Sequence, residues 1–242
     1  MKLRGITRND LHWGTMIDSK KIFLFIPFAA LALTACEPRE SAEARSVTGT
    51  AAQVQAKSPS PTAAAYRFIT APEGNAARYR IREQLVGVDL PNDAVGETKA
   101  VTGAISADKK GNLIPAESKF TVDVSNLVSD KDRRDGFVRR RVLQTDQYPT
   151  VTLVPTSIKG LSLPLPTSGA RSFDLIGDLT VRGVTRPTTW KVNAVFTPSG
   201  MNGKALTAFT FKDFEIDQPK VPVVLSVADT IKLELDFSLV RQ

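Results

Sequence analysis

The sequence predicts an all-β domain, a closed antiparallel barrel or a sandwich, and three observations carry the prediction. Beyond Tyr66, apolar and polar residues alternate in run after run, Gly, Pro and Asp clusters separate the runs, and only one stretch has helical spacing. Alternation with period two puts one face of each strand on a core and the other in water, as antiparallel sheets do. Around eight such runs in one unit favour a barrel or a sandwich.

Taken from the N-terminus, the first element is an export segment. Ile22 to Leu33 is an uncharged apolar run preceded by Lys20 and Lys21. Its twelve residues fall short of the roughly 20 that a membrane span needs, and they have the proportions of a signal-peptide core. The run ends in Leu33-Thr34-Ala35-Cys36 and turns polar at Glu37-Pro38-Arg39-Glu40. That ending resembles the bacterial lipobox, in which a cysteine after small residues is acylated and becomes the new N-terminus. Residues 1–35 are therefore expected to be a signal peptide, with Met16 a second candidate start, and Cys36 a lipid anchor. The mature protein is expected to be exported and anchored to a bacterial membrane, on its periplasmic or cell-surface side.

Residues 36–65 carry the anchor and then a tether rich in Ala, Ser, Thr, Gln and Pro, with Ser58-Pro59-Ser60-Pro61 excluding regular structure locally. A flexible chain of this length spans on the order of 30 Å root mean square. The folded domain is expected over residues 66–242.

Within it, the clearest strand is the last. Ile231, Leu233, Leu235, Phe237 and Leu239 alternate with Lys232, Glu234, Asp236 and Ser238. Trp190 to Phe196, Phe120 to Val124 and Phe173 to Val181 repeat the pattern; Val151 and Leu153 make a shorter run, and Ala205 to Phe214 is a further candidate strand. The one helical stretch is Asp130 to about Gln144. Ser129 and Asp132 have capping-box spacing, acids occupy the first turn and Arg139, Arg140 and Arg141 the last turns. Tyr148-Pro149 then forces extended chain. Leu161 to Ser172, with Pro164, Pro166 and Gly169, reads as a loop.

Several of these segments together resemble the YceI-like family of periplasmic lipid-binding proteins. They are Arg134-Asp135, Tyr148-Pro149-Thr150-Val151, Gly177-Asp178-Leu179-Thr180-Val181, Gly183-Val184-Thr185-Arg186-Pro187 and the closing Asp229-Thr230-Ile231-Lys232-Leu233. The resemblance covers roughly Tyr66 to Gln242. It implies an eight-stranded antiparallel, lipocalin-like barrel with a long polyisoprenoid chain bound inside; the one short helix read above is expected to lie across or plug a mouth of it. Three features depart from the family pattern. The region Asn75-Ala76-Ala77-Arg78 lacks the family's Asp-x-x-His-Ser element, and Phe137 and Arg182 stand where histidines are common.

Candidate lining residues for such a tunnel are Phe120, Phe137, Leu179, Trp190, Phe209, Phe211, Leu235 and Phe237. The same alternation would serve an ordinary core, since small eight-stranded barrels either fill with side chains or hold one ligand. On a helical wheel, Arg134 and Arg141 fall on the apolar side with Phe137 and Val138. There they either meet a diphosphate or quinone head or pair with a carboxylate or helix-end carbonyls.

Composition narrows the chemistry. The chain has one histidine, His12, and one cysteine, Cys36. A mature chain cut before Cys36 has no histidine and a lipid-blocked thiol, which removes Cys/His metal sites, Ser-His-Asp triads and disulfides. No catalytic group, metal or cofactor is expected. Asp174, Asp178, Asp213 and Glu215 have no spacing that singles out a hydrolytic pair. The net charge is +7, partly in the export segment, which is too weak for a nucleic-acid footprint and compatible with an anionic membrane. The expected partners are an isoprenoid-type lipid (a polyprenyl phosphate or quinone tail) and the membrane. The alternative is a non-enzymatic barrel with a filled core that works through an unidentified protein partner, and an enzyme ranks third.

Overall fold

The computed structural model describes residues 64–242; the expected signal peptide, Cys36 and nearly all of the tether lie outside them. The described chain forms β1 (Tyr66–Thr70), β2 (Ala76–Leu85), β3 (Asn92–Thr98), β4 (Val101–Ala107), β5 (Lys119–Asp123), β6 (Val128–Ser129), α1 (Asp132–Phe137), β7 (Thr150–Lys159), β8 (Gly169–Val181), β9 (Val184–Thr197), β10 (Gly200–Thr210) and β11 (Val224–Arg241). All pairings are antiparallel.

Three pairs of consecutive strands are halves of bent staves. β1 and β2 lie along the same edge of β11, β4 and β3 lie against them in turn, and β5 and β6 follow on β4 and β3. With each pair taken as one stave, the structure is a closed eight-stranded barrel in which neighbours in sequence are neighbours in space.

The breaks in the staves are bridged by side chains. At the first, the buried Asn75 donates from Nδ2 to Ala71 O at 2.8 Å and accepts the Ser238 N–H at 2.9 Å. At the second, Thr98 Oγ1 donates to Asp123 O at 3.0 Å and accepts the Ala100 N–H at 3.2 Å. Such bends keep a long strand on a small cylinder without stranding buried backbone groups.

Register puts Phe173, Leu175, Leu179 and Val181 of β8, and Trp190, Val192, Ala194 and Phe196 of β9, into one buried core. Outward positions carry charge. Arg78 of β2 sits between Glu97 of β3 and Asp236 of β11; Arg80 is 3.4 Å from Asp93 and 3.1 Å from Glu234. Lys204 of β10 extends the ladder to Asp236 at 2.7 Å.

Some elements differ from expectation. The helix starts two residues later than Asp130, at Asp132, and its N-cap is Lys131 without a side-chain bond. Ser129 does not form a capping box with Asp132. Instead its N–H and hydroxyl both donate to Asp135 Oδ1, at 2.8 and 2.6 Å. After Phe137 the helix widens into a π turn, Val138–Leu143, and stops at Gln144, whose φ is 52°. The strand expected to reach Phe214 stops at Thr210. There Thr210 and Asp213 form a reciprocal capping box that starts a 3₁₀ turn, Phe211–Phe214. The expected loop ends earlier, since β8 begins at Gly169.

The connection through α1 and the Phe211–Phe214 turn lie at one end of the barrel, here called the upper end, with the β8–β9 turn. The chain enters at the lower end, where the Ala65 N–H bonds Ala107 O at 2.8 Å.

Candidate ligand cavity

The barrel axis holds two apolar chambers. The lower, of about 80 Å³, is lined by side chains that include Phe68, Leu165, Phe173, Phe196, Met201 and Phe237. The upper, of about 110 Å³, is lined by Tyr79, Val124, Leu127, Leu143, Leu179 and Phe209 among others. Phe120, Leu153, Trp190 and Leu235 border both and form a collar between them. Trp190 is held in place there. Its Nε1–H donates to Thr188 Oγ1 at 3.0 Å, and that hydroxyl donates to Gly177 O at 3.1 Å. The indole's polar end is thus satisfied within the wall, and the chambers meet mainly carbon.

Of the expected lining residues, Phe120, Leu179, Trp190, Phe209, Leu235 and Phe237 border a chamber. Phe137 and Phe211 do not. The π turn presents Val138, Val142 and Leu143 to the barrel and leaves Phe137 half-buried outside the chamber walls. Phe211 is almost fully buried, but in the 3₁₀ turn. Beside it Phe214 meets the ring of Phe209 edge-on, 4.5 Å between centroids.

The arginines separate in the same way. Arg134 does point inward, and a carboxylate is waiting: Nη2 lies 2.6 Å from Glu83 of β2, Nη1 pairs with Asp130, and the side chains of Arg134 and Glu83 are only 14% and 8% exposed. The carboxylate pairing, one of the two arrangements open to Arg134, is present, with Glu83 as the partner. Burial alone would lower its pKa, but Glu83 and Asp130 together raise it. Arg141 is exposed and makes no ion pair among the described residues. Arg139, in the same turn, is half-buried and donates to Leu127 O at 3.1 Å. Arg182, in the β8–β9 turn, donates to Val142 O at 3.1 Å and pins the π turn to the barrel rim.

Tyr79 is the residue that the sequence did not single out. It is 9% exposed, and its hydroxyl has no partner among the described residues. Burial pushes the phenol up to about 12; Arg134 works against that shift, and Asp135, Glu83 and Asp130 work with it. The signal that could have found Tyr79 was the spacing of Arg78, Arg80 and Arg82, which marks an outward row and so places Ala77, Tyr79 and Ile81 inward.

No group of three or more His, Cys, Asp and Glu side chains among the described residues is arranged to hold a metal ion. No helix among them is long and apolar enough to cross a membrane.

The family model for the YceI-like domain matches residues 71–239, most of the chain. The chain belongs to the YceI-like family. This YceI-like chain is 30% identical over 139 residues to proteins named UPF0312 from two strains of Pseudomonas putida; the match covers 53% of this chain and 65% of each relative, so the chain spans just under two thirds of their length. A polyisoprenoid-binding domain from Saccharophagus degradans, implicated in plant cell wall breakdown, superimposes with a TM-score of 0.55 at 12% identity, over 74% of this chain and 99% of that one. At that identity the likeness is one of fold, and it agrees with the closed YceI-like barrel traced above.

Proposed function

We propose that this YceI-like barrel binds one isoprenoid-type chain, with the chain running through the collar between the two chambers, and that it does so as an exported lipoprotein anchored through Cys36. The observation that carries the reading is the pair of apolar chambers on one axis, joined at Phe120, Leu153, Trp190 and Leu235. Two apolar chambers in line suit a chain whose binding comes from burying hydrocarbon, at about 25 cal/mol per Å² of apolar surface. It needs no catalytic group, and the role is one of binding rather than turnover. The family membership and the polyisoprenoid-binding fold neighbour support the same ligand class.

Membrane contact has support of its own. Val86, Val88, Leu90, Val223 and Leu225 are all exposed, and the Val86 N–H bonds Val223 O at 3.1 Å, so the β2–β3 loop and the start of β11 form one apolar tip at the upper end.

One observation favours the second reading, a filled core acting through a protein partner. Chambers of about 80 and 110 Å³ fall below the roughly 300–1,000 Å³ of typical small-molecule sites. On the binding reading, collar side chains swing aside as the chain enters.

Native mass spectrometry of the full-length protein purified from a bacterial host, followed by lipid extraction, tests the two. A stoichiometric isoprenoid supports binding. An apo mass that stays unchanged after incubation with quinones and polyprenyl phosphates supports the filled core. The same spectra report whether the N-terminus is a diacylated or triacylated Cys36.

A further inference from the structure

The barrel wall has a seam between β9 and β10. The two strands are paired from Thr197 and Gly200 as far as Lys191 and Leu206. Beyond that point they part: among the described residues, Trp190 to Val184 pair only with β8, and Thr207 to Thr210 only with β11. Pro187, on one lip, has no N–H to offer across the gap. What spans it is a side-chain bond, from Thr207 Oγ1 to Thr189 O at 2.9 Å. Over the seam, outside the barrel, lies an open cleft of about 900 Å³. Arg186 to Thr189 and Lys191 form one lip, and Leu206 to Phe209 the other.

Phe209 and Leu233 line both this cleft and the upper chamber. Inside and outside are therefore separated here by side chains rather than by a hydrogen-bonded ladder. Phe209 is half-buried, and its ring meets Phe214 edge-on, 4.5 Å between centroids. Opening the wall along a paired stretch would break a row of backbone bonds, whereas here the rotation of one aromatic ring and the loss of one hydroxyl bond suffice. The upper mouth is less free. The π turn packs Val138, Val142 and Leu143 onto the core there, and Arg139 and Arg182 pin it through Leu127 O and Val142 O.

We propose that the β9–β10 seam is a lateral portal through which an isoprenoid chain enters and leaves the upper chamber, with the outer cleft as its first binding site and Phe209 as the shutter. The inference rests on the isoprenoid-binding reading given above. At about 900 Å³ the cleft falls within the roughly 300–1,000 Å³ of typical small-molecule sites, which neither chamber does. Leu206, Phe209 and Leu233 give it apolar surface, and the exposed Arg186 and Lys191 a hydrated rim, which suits an amphiphile passing from water to hydrocarbon. A shutter sets the height of a barrier and not the free energy of its two ends. Closing the portal therefore slows association and dissociation by the same factor and leaves affinity in place.

The test uses the full-length protein and all-trans-retinol, an isoprenoid whose fluorescence rises when it leaves water, followed by stopped flow. Thr189→Cys and Ala208→Cys, exposed on opposite lips, are joined by a short bismaleimide with a cleavable spacer. Cys36, the one native cysteine, is acylated on the reading above and does not compete for the cross-linker. Ser172→Cys with Asn193→Cys, a register pair of β8 and β9, makes the control cross-link away from the seam. Closing the seam should slow uptake and release of retinol about tenfold or more, both by the same factor, and cleaving the spacer should restore them. The control should keep the wild-type rates when cross-linked. Phe209→Ala, without a cross-link, should take up retinol about threefold faster or more. Unchanged rates with the seam closed, equal slowing in the control, or uptake by Phe209→Ala no faster than wild type overturns the inference and leaves the isoprenoid reading standing. Failure of wild type to take up retinol overturns both.

Discussion

Gly96 and Tyr79 face each other across β2 and β3, and their contact shows how one missing side chain fixes another. The tyrosine ring occupies the space that a Cβ at position 96 would fill, 2.2 Å away. Gly96→Ala should therefore displace the ring and destabilise the barrel by about 1–3 kcal/mol, the usual cost of overpacking, read as a lower urea midpoint. The Arg134–Glu83 pair works on a different principle. Removing the guanidinium strands a buried carboxylate, so Arg134→Ala should cost about 2 kcal/mol, the lower end for a broken buried pair because Asp130 is solvent-exposed. Arg134→Met combined with Glu83→Leu should recover most of that loss in the same denaturation experiment, because neither charge is then left alone. The helical spacing identified Arg134 as inward-facing. It could not name Glu83 as the partner, because the two are 51 residues apart and meet only when β2 closes against the β6–α1 connection.

On the scale of elements, the outer ladder of β3, β2, β11 and β10 ties four strands together through charge. Burial favours protonation of Asp236, but bonds from Lys204 and Arg78 outweigh it and hold the carboxyl below its ordinary range; Arg82, then Arg80, does the same for the exposed Asp93. A carboxylate whose pKa is depressed by folding contributes stability that is complete above the unfolded value, near 4, and fades as pH falls through the lower folded value. The urea midpoint should hold between pH 7 and 5 and decline below pH 4, and Asp236→Asn should have a shallower decline. Strands β8, β9 and the second half of β11 were legible because an apolar face alternates with a polar one over many residues. The first half of the domain was less so, since β1 to β4 are short or broken and rich in Arg, Thr, Gly and Ala. The helix was legible in position but not in form. Its π turn is set by tertiary bonds, from Arg139 to Leu127 O and from Arg182 to Val142 O, that local spacing does not encode.

At the scale of the whole molecule, closure of the ring turns eight alternating patterns into one enclosed axis. The collar residues Phe120, Leu153, Trp190 and Leu235 border both chambers and offer a test of through-chamber binding. Leu235→Phe should fill the collar, reduce affinity for a long-chain quinone by tenfold or more, on the order of 1.4 kcal/mol, and affect a ligand short enough for one chamber far less. Equal loss for long and short ligands in competition with a hydrophobic dye would mean that the chambers are not used as one tunnel. By itself the sequence determined the antiparallel β class, the family, the place of the one helix and six residues that border the chambers, because period-two alternation and turn residues are local properties of the chain. Tertiary structure alone decided which inward residues border space and which fill it, that Arg134 is spent on Glu83, and that the Tyr79 hydroxyl is left unpaired. Those outcomes depend on the distance between strands far apart in sequence, and that distance exists only once β11 has closed against β1 and β2.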